Sequence, residues 1–409
     1  METTTNRYVC ASLCALLLIT LLATGCKGHK SYPETPLTKS IDSLFTSIID
    51  ENGPGAMVMV TSKDSVIYSH GFGLSRLDTR ESIDENTLFS LSTTTKFISA
   101  IGIMKLVEEG CISLDTPLSE LFPNLKDDIY KKIHIRHILS GSTGLPNTLP
   151  QDIHEWNEYI KTHPSIFSHL DDFSLYGSDE EFTRYLENID TLLYEPGTQF
   201  SPGLVVNDPP YMLIPALIEK MTLTEYNTWM VDNILKPTGA EHAIYTNLEV
   251  EKVPHLAHAY APAEKVHSKK QSYSSDSGTW KEYDYGEAPF FLAKGDNGLF
   301  ISGSSYIKWR QAILDGKIVS QESLDTVYSA IAAYDALPNI THGLGVINEK
   351  LADGSIKHYM RGHNGGFSSI TEFFPDKKVS YLIFMNRNDI DLDALMARLN
   401  GILQSHHLI

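Results

Sequence analysis

The stretch FSLSTTTKFISA, Phe89 to Ala100, sets a run of hydroxyl side chains, Ser92 to Thr95, directly before Lys96. Apolar residues then follow at helical spacing, Ile98, Ile101, Met104, Leu106 and Val107, until Gly110 closes the run. The pattern predicts a helix whose first turn carries the hydroxyls, where the positive end of the helix dipole lies. Lys96 stands three residues after Thr93 and so shares its helix face. Upstream, AMVMVTSKDSVIY (Ala56 to Tyr68) reads as a hairpin turning at Ser62-Lys63-Asp64, with glycines at 71 and 73 behind it. A Thr-x-x-Lys spacing alone fits a solvated helix face better, so its meaning rests on what surrounds it.

Further segments follow in order: LVEEGCISLDTPLSELFP from Leu106, IHIRHILSGSTGLP from Ile133, YEPGTQFS from Tyr194, NILKPTGAEHA from Asn233, NGLFISGSSYIKW from Asn297 and GHNGGFSSI from Gly362. Together with the hairpin, this series resembles the serine β-lactamase and penicillin-binding-protein superfamily in its class C-like branch. The resemblance implies an α+β fold, an antiparallel sheet flanked by helices with a mostly helical lobe inserted. It implies hydrolysis of an amide or ester through an acyl-enzyme, on a small peptide, β-lactam or ester substrate, with peptidoglycan as a partner and no cofactor or metal. Ser-x-Thr-Lys of the family falls on Thr93 to Lys96, which puts Thr93 at the nucleophile and Lys96 at the base. His363 matches the family's His-x-Gly motif, and Gly365, Gly366 and Phe367 would border substrate and supply an oxyanion N–H beside that of Thr93.

Two positions depart from the family. Thr93 replaces serine and carries a crowding methyl; Ser92 is an adjacent hydroxyl that a one-residue shift would recruit. The Tyr-x-Asn motif is expected after Tyr194, yet the chain reads FSPGLVVNDPPY. Without a gap the tyrosine position falls on Pro202, and with Asn207 aligned to the motif asparagine it falls on Val205; Tyr211 is a displaced tyrosine or the aromatic that follows the motif. Two functions therefore stand: a hydrolase using Thr93, Lys96, Asn207 and His363, or a degraded member that keeps the cleft and binds peptidoglycan-like peptides or a protein.

The N-terminus carries a different message. Val9 to Ala23 is an apolar stretch with the length of a signal segment, and it ends in LLATGC, which resembles a lipobox at Cys26. The expected organisation is a lipoprotein signal over 1–25, a polar tether over 26–36, a sheet domain from 37–95 and 289–409, and a helical lobe over 96–288. The expected address is the bacterial cell envelope, with the membrane held through the Cys26 lipid only. The net charge of −18 excludes nucleic acid as a partner and gives an anionic bilayer nothing to attract. Of the four cysteines, Cys111 follows Leu106 and Val107 and reads as a buried thiol. The pairs His134/His137 and His255/His258 lack a third ligand and read as ordinary histidines. Asp389, Asp391 and Asp393 read as a helix cap.

Overall fold

The structure, a computed structural model, describes residues 32–123, 125–145, 186, 189–198, 211, 213–245, 253–263, 279–282, 294–333 and 337–409. Helix α1 (Pro36–Thr46) leads into strands β1 (Ala56–Ser62) and β2 (Ser65–Phe72), the hairpin read from the sequence. Its turn is made by Lys63 in the left-handed region, at φ 56°. Helix α2 (Thr95–Glu108) is the helix that opens on the hydroxyl run. Further along come α3 (Leu213–Thr222), α4 (Gly303–Leu314) and α5 (Gln321–Tyr328). The chain then returns to the sheet with β3 (Ala332–Ala333), β4 (Ile340–His342), β5 (Ile347–Lys350), β6 (Ile356–Asn364), β7 (Phe367–Phe374) and β8 (Val379–Met385). Helix α6 (Leu392–Ser405) closes it.

These strands form one antiparallel sheet in the order β3-β4-β5-β6-β7-β8-β1-β2. An early and a late strand therefore pair side by side: Ala56 pairs with Met385 and Ser62 with Val379. Strand β8, VSYLIFM, is buried along its whole length, as an unbroken apolar run in a strand covered on both faces should be. Strand β1 is buried on both faces over Ala56 to Thr61. A smaller sheet ties the region before α2 to later segments, with Leu88–Ser90 and Ala243–Tyr245 on either side of Leu299–Ser302. Pro36–Ile409 is one compact unit.

Asp391 caps α6 by accepting the Ala394 N–H at 3.0 Å. Cys111 departs from the sequence reading: it is exposed. Helix α2 ends at Glu108 and Gly110 takes φ 73°, so the chain has left the helical stripe before the thiol is reached. Among the described residues no helix is long and apolar enough to cross a membrane. The apolar stretch from Val9, Cys26 and most of residues 147–190 and 262–288 lie outside the described residues.

Candidate active site

The hydroxyl run is delivered by a short strand and then forced to turn. Phe89 pairs with Ile301, and the Leu91 N–H donates to the Leu299 carbonyl at 2.9 Å. Ser92 then adopts φ 50°, a left-handed conformation that non-glycine residues rarely hold without surrounding support. That support comes from β7: Ser369 Oγ donates to the Leu91 carbonyl at 2.6 Å and lies 2.9 Å from Thr94 Oγ1. Ser92 to Thr94 make one 3-10 turn before α2 begins. Ser92, Thr94 and Thr95 are fully buried, and Thr93 is the member of the run that keeps partial exposure. Ser92 is thus packed beneath the strand, and Thr93 is the hydroxyl presented at the helix N-terminus.

Strand β6 presses on this turn through Gly362. A Cβ at that position would stand 2.7 Å from the Thr93 nitrogen, 3.0 Å from Ser92 Cβ and 3.1 Å from Thr93 Cβ, so only glycine fits without displacement. Lys96, one turn further along, is 2% exposed. Its Nζ lies 3.1 Å from Asp296 Oδ1 and 4.8 Å from the centre of the Tyr211 ring. Tyr211 donates its hydroxyl to the Leu139 carbonyl at 2.9 Å. Gly345, at φ 70°, allows Lys96 and Tyr211 to close over it: a Cβ there would meet the Lys96 carbonyl at 2.7 Å and Tyr211 Oη at 2.9 Å.

Thr93, Lys96, Tyr211, His342, Met360 and Arg361 line a cavity of about 20 Å³, room for roughly one water. Burial and the Lys96 charge bring His342 down to about 4, so its imidazole is neutral at physiological pH. Burial pushes the Asp296 carboxyl up, while the Lys96 charge beside it pulls the other way. Arg361 is paired with Asp393. The arrangement offers a hydroxyl at a helix N-terminus, backbone N–H groups from that turn, and a buried lysine in the same cavity. Those are the elements of acyl transfer by a hydroxyl nucleophile.

Of the remaining residues named from the sequence, the described ones lie on β6, on β7 and on the turn between them. Gly365 and Gly366 both take positive φ, 48° and 87°, and form the two-residue turn between β6 and β7. A pair of left-handed residues is what a tight hairpin turn demands. His363 pairs with Ser368 across that hairpin, its Nδ1 2.7 Å from Ser368 Oγ. Burial, then the nearby Arg361 charge, lowers its pKa. Strand alternation sends the His363 side chain to the face opposite Gly362. Phe367 belongs to the core, edge-on to Phe89 and Phe300 with ring centres 6.5 and 5.7 Å apart. Asn207, with Pro202 and Val205, lies outside the described residues.

The structure thus brings Thr93 and Lys96 together and adds Asp296, Gly362, His342 and Arg361, none of which the motifs pointed to. A signal for Asp296 does exist, a lone acid in KGDNG immediately before the apolar LFI. The histidine pairs are accounted for locally. The His134 N–H donates to His137 Nδ1 at 3.1 Å, and His258 pairs with Glu282. Among the described residues no group of three or more His, Cys, Asp or Glu side chains could hold a metal ion.

A family profile described as Beta-lactamase matches residues 41–404. The chain belongs to the beta-lactamase family. Within that family it is 22% identical to penicillin-binding protein 4* of Bacillus subtilis over 372 residues, 89% of this chain and 74% of that protein. It is 25% identical to esterase EstB of Burkholderia gladioli over about half of each chain, 53% in both cases. Among solved structures it resembles the octameric penicillin-binding protein homologue of Pyrococcus abyssi, with a TM-score of 0.69 and 22% identity over 91% of this chain and 77% of that one. A class C beta-lactamase superposes at 0.68 with 17% identity, covering 92% of this chain and 98% of the other. These likenesses establish the beta-lactamase and transpeptidase fold, with its antiparallel sheet and flanking helices.

Proposed function

We propose that the chain is an acyl-transferring hydrolase of the cell envelope that attacks amide or ester carbonyls of the D-Ala-peptide or β-lactam type, with Thr93 as nucleophile. One observation carries the reading: the hydroxyl left accessible by the buried run is Thr93, at the N-terminus of α2 and in one cavity with Lys96. The relatives include penicillin-binding proteins, an esterase and a D-amino acid amidase from Ochrobactrum anthropi, all names that denote action at such carbonyls or recognition of such ligands. The N–H groups of the Ser92–Thr94 turn would stabilise the oxyanion. The test is acylation by a fluorescent penicillin or a fluorophosphonate, with the labelled peptide located by mass spectrometry. Label on the Thr93 peptide that disappears in Thr93→Ala and rises in Thr93→Ser supports the reading. Label that persists in Thr93→Ala refutes it.

The Lys96–Asp296 contact favours a second reading, a family member that binds D-Ala peptides without turning them over. Saturable binding of a D-Ala-D-Ala peptide, with no product after prolonged incubation and no label at Thr93, would select it. The lipid anchor at Cys26 belongs to the same proposal, supported by the LLATGC sequence. A Cys26→Ser protein that still partitions with membranes would remove it.

A further inference from the structure

Strand β6 serves a second concavity at the end opposite the nucleophile turn. Alternation puts His358, Met360 and Gly362 on one face of the strand, and His358 stands four residues, roughly 13 Å, from the glycine that presses on Thr93. There the surface opens into a groove of about 840 Å³, against about 20 Å³ beside Thr93. Its floor is a row of side chains that the register sets side by side across four strands. His358 on β6 pairs with Phe373 on β7, Phe373 with Ser380 on β8, and Ser380 with Thr61 on β1. Helices α4 and α5 form the walls, each with its i, i+3, i+4, i+7 face, from Ile307 to Leu314 and from Gln321 to Tyr328.

Arg310 stands in the wall of this groove and is 6% exposed. An arginine side chain keeps its charge in a folded protein and brings five N–H donors with it, so burying one is costly unless they are answered. Here they are poorly answered. Nε has no hydrogen-bond acceptor, and Nη1 reaches the Glu372 carbonyl only at 3.5 Å. The Glu372 carboxylate is committed elsewhere, accepting from Lys357 Nζ and from the Asn400 amide at 2.9 Å each. Among the described residues no carboxylate pairs with the Arg310 guanidinium. One face of the guanidinium is covered by the Phe373 ring, whose centre is 4.2 Å from Cζ. Beside it Tyr328 stacks on His358 with ring centres 4.0 Å apart. Burial, then the Arg310 charge, brings His358 down to about 4, so this stacked surface is uncharged at physiological pH. At the mouth, the exposed Asp64, Asp315, Asp325 and Asp376 outnumber Lys63 and Lys378.

We infer that this groove is a binding site for a small monocarboxylate with a flat apolar body, its carboxylate on the Arg310 guanidinium and its body against Phe373 and the Tyr328–His358 stack. A planar guanidinium matches a carboxylate two hydrogen bonds at a time, which answers the donors that the protein leaves open. The surplus of aspartates at the mouth disfavours an anion of higher charge such as phosphate. The volume is that of an ordinary small-molecule site. The site is separate from the Thr93 cavity, and the inference does not depend on the reaction proposed there.

Titration calorimetry of the full chain with benzoate tests the site. The expected result is saturable binding in the native protein, weakened about ten- to a hundredfold in Arg310→Met, the scale of charge-assisted hydrogen bonds lost. Inorganic phosphate, titrated in the same way, should bind more weakly than benzoate. No saturable benzoate binding to the native chain overturns the inference, and so does unchanged binding in a folded Arg310→Met protein. Phosphate binding as tight as benzoate overturns the assignment of a monocarboxylate with a flat body. A second measurement uses the native chain alone and decides the matter even where Arg310→Met does not fold. On illumination, 4-benzoylbenzoate should cross-link to the peptides that carry Leu314, Tyr328 or Phe373, and excess benzoate should prevent it. Cross-links confined to other peptides, the Thr93 peptide included, place the carboxylate elsewhere and overturn the inference.

Discussion

Gly362 offers a direct measure of how tightly β6 is clamped on the nucleophile turn. In Gly362→Ala the new methyl would arrive 2.7 Å from the Thr93 nitrogen, 3.0 Å from Ser92 Cβ and 3.1 Å from Thr93 Cβ. Each of these atoms belongs to the backbone or is bonded directly to it, so no side-chain rotation relieves the contact. Ser92, already at φ 50°, has little freedom to retreat. Overpacking of this kind costs about 1–3 kcal/mol. The reduced entropy of the unfolded chain on replacing glycine by alanine returns about 0.4–1 kcal/mol. The net is a loss of about 1.5 kcal/mol, which for a unit of this size lowers Tm by roughly 2 °C. Scanning calorimetry reads the loss, and amide hydrogen exchange at Thr93 and its neighbours should accelerate with it. A Gly362→Ala protein that melts at or above the native temperature, with unchanged exchange at Thr93, would refute the close approach of strand and turn.

Other substitutions probe the same framework from different sides. Gly401→Ala makes the opposite prediction: the site lies inside α6 with nothing within 4 Å of a new Cβ, so Tm should rise, by the equivalent of about 0.5–1 kcal/mol. His342 is buried as the neutral imidazole, brought down to about 4, so the unfolded chain binds a proton that the folded one refuses. Stability from this group is complete above pH ~6.5 and is lost as pH falls from there towards ~4, a contribution on the order of 3 kcal/mol. Urea titrations over that range should show a shallower pH dependence in His342→Phe. Asp391→Ala removes the cap on the Ala394 N–H and should cost about 1 kcal/mol, read from the same urea midpoints.

The parts of this molecule that the sequence announces are those set by local periodicity. The apolar AMVMV and the unbroken VSYLIFM mark strands inside the sheet because a strand covered on both faces leaves no polar position to interrupt it. The placement of Thr93 and Lys96 is equally legible, since three residues of helix fix their shared face. Gly365, Gly366 and His363 show where that legibility ends. Motif order aligned them with the strand beside the nucleophile, but two adjacent glycines are also what a hairpin turn requires, and the turn takes them. Gly362 then supplies the close approach to Thr93. Asp296 lies two hundred positions beyond Lys96, and no spacing rule relates a loop acid to a helix lysine. The Cys111 reading failed for a similar reason: Gly110 breaks the stripe one residue before the thiol.

The pairing of β1 with β8 also sets a clock. Gly55 donates its N–H to Asn386 Oδ1 at 2.7 Å across 331 positions of chain, and the whole register from Ala56 to Ser62 depends on the same late segment. At ordinary elongation speeds of about 5–20 residues per second, roughly 20 to 60 s separate the synthesis of these partners. For that interval the first hairpin has one strand of its own and a second, hydrophobic edge with nothing to bond. Completion of the sheet must await the last few dozen residues, and a chain truncated before Val379 would keep the nucleophile turn and the strands that press on it, β6 and β7, but lack the strand that joins them to β1.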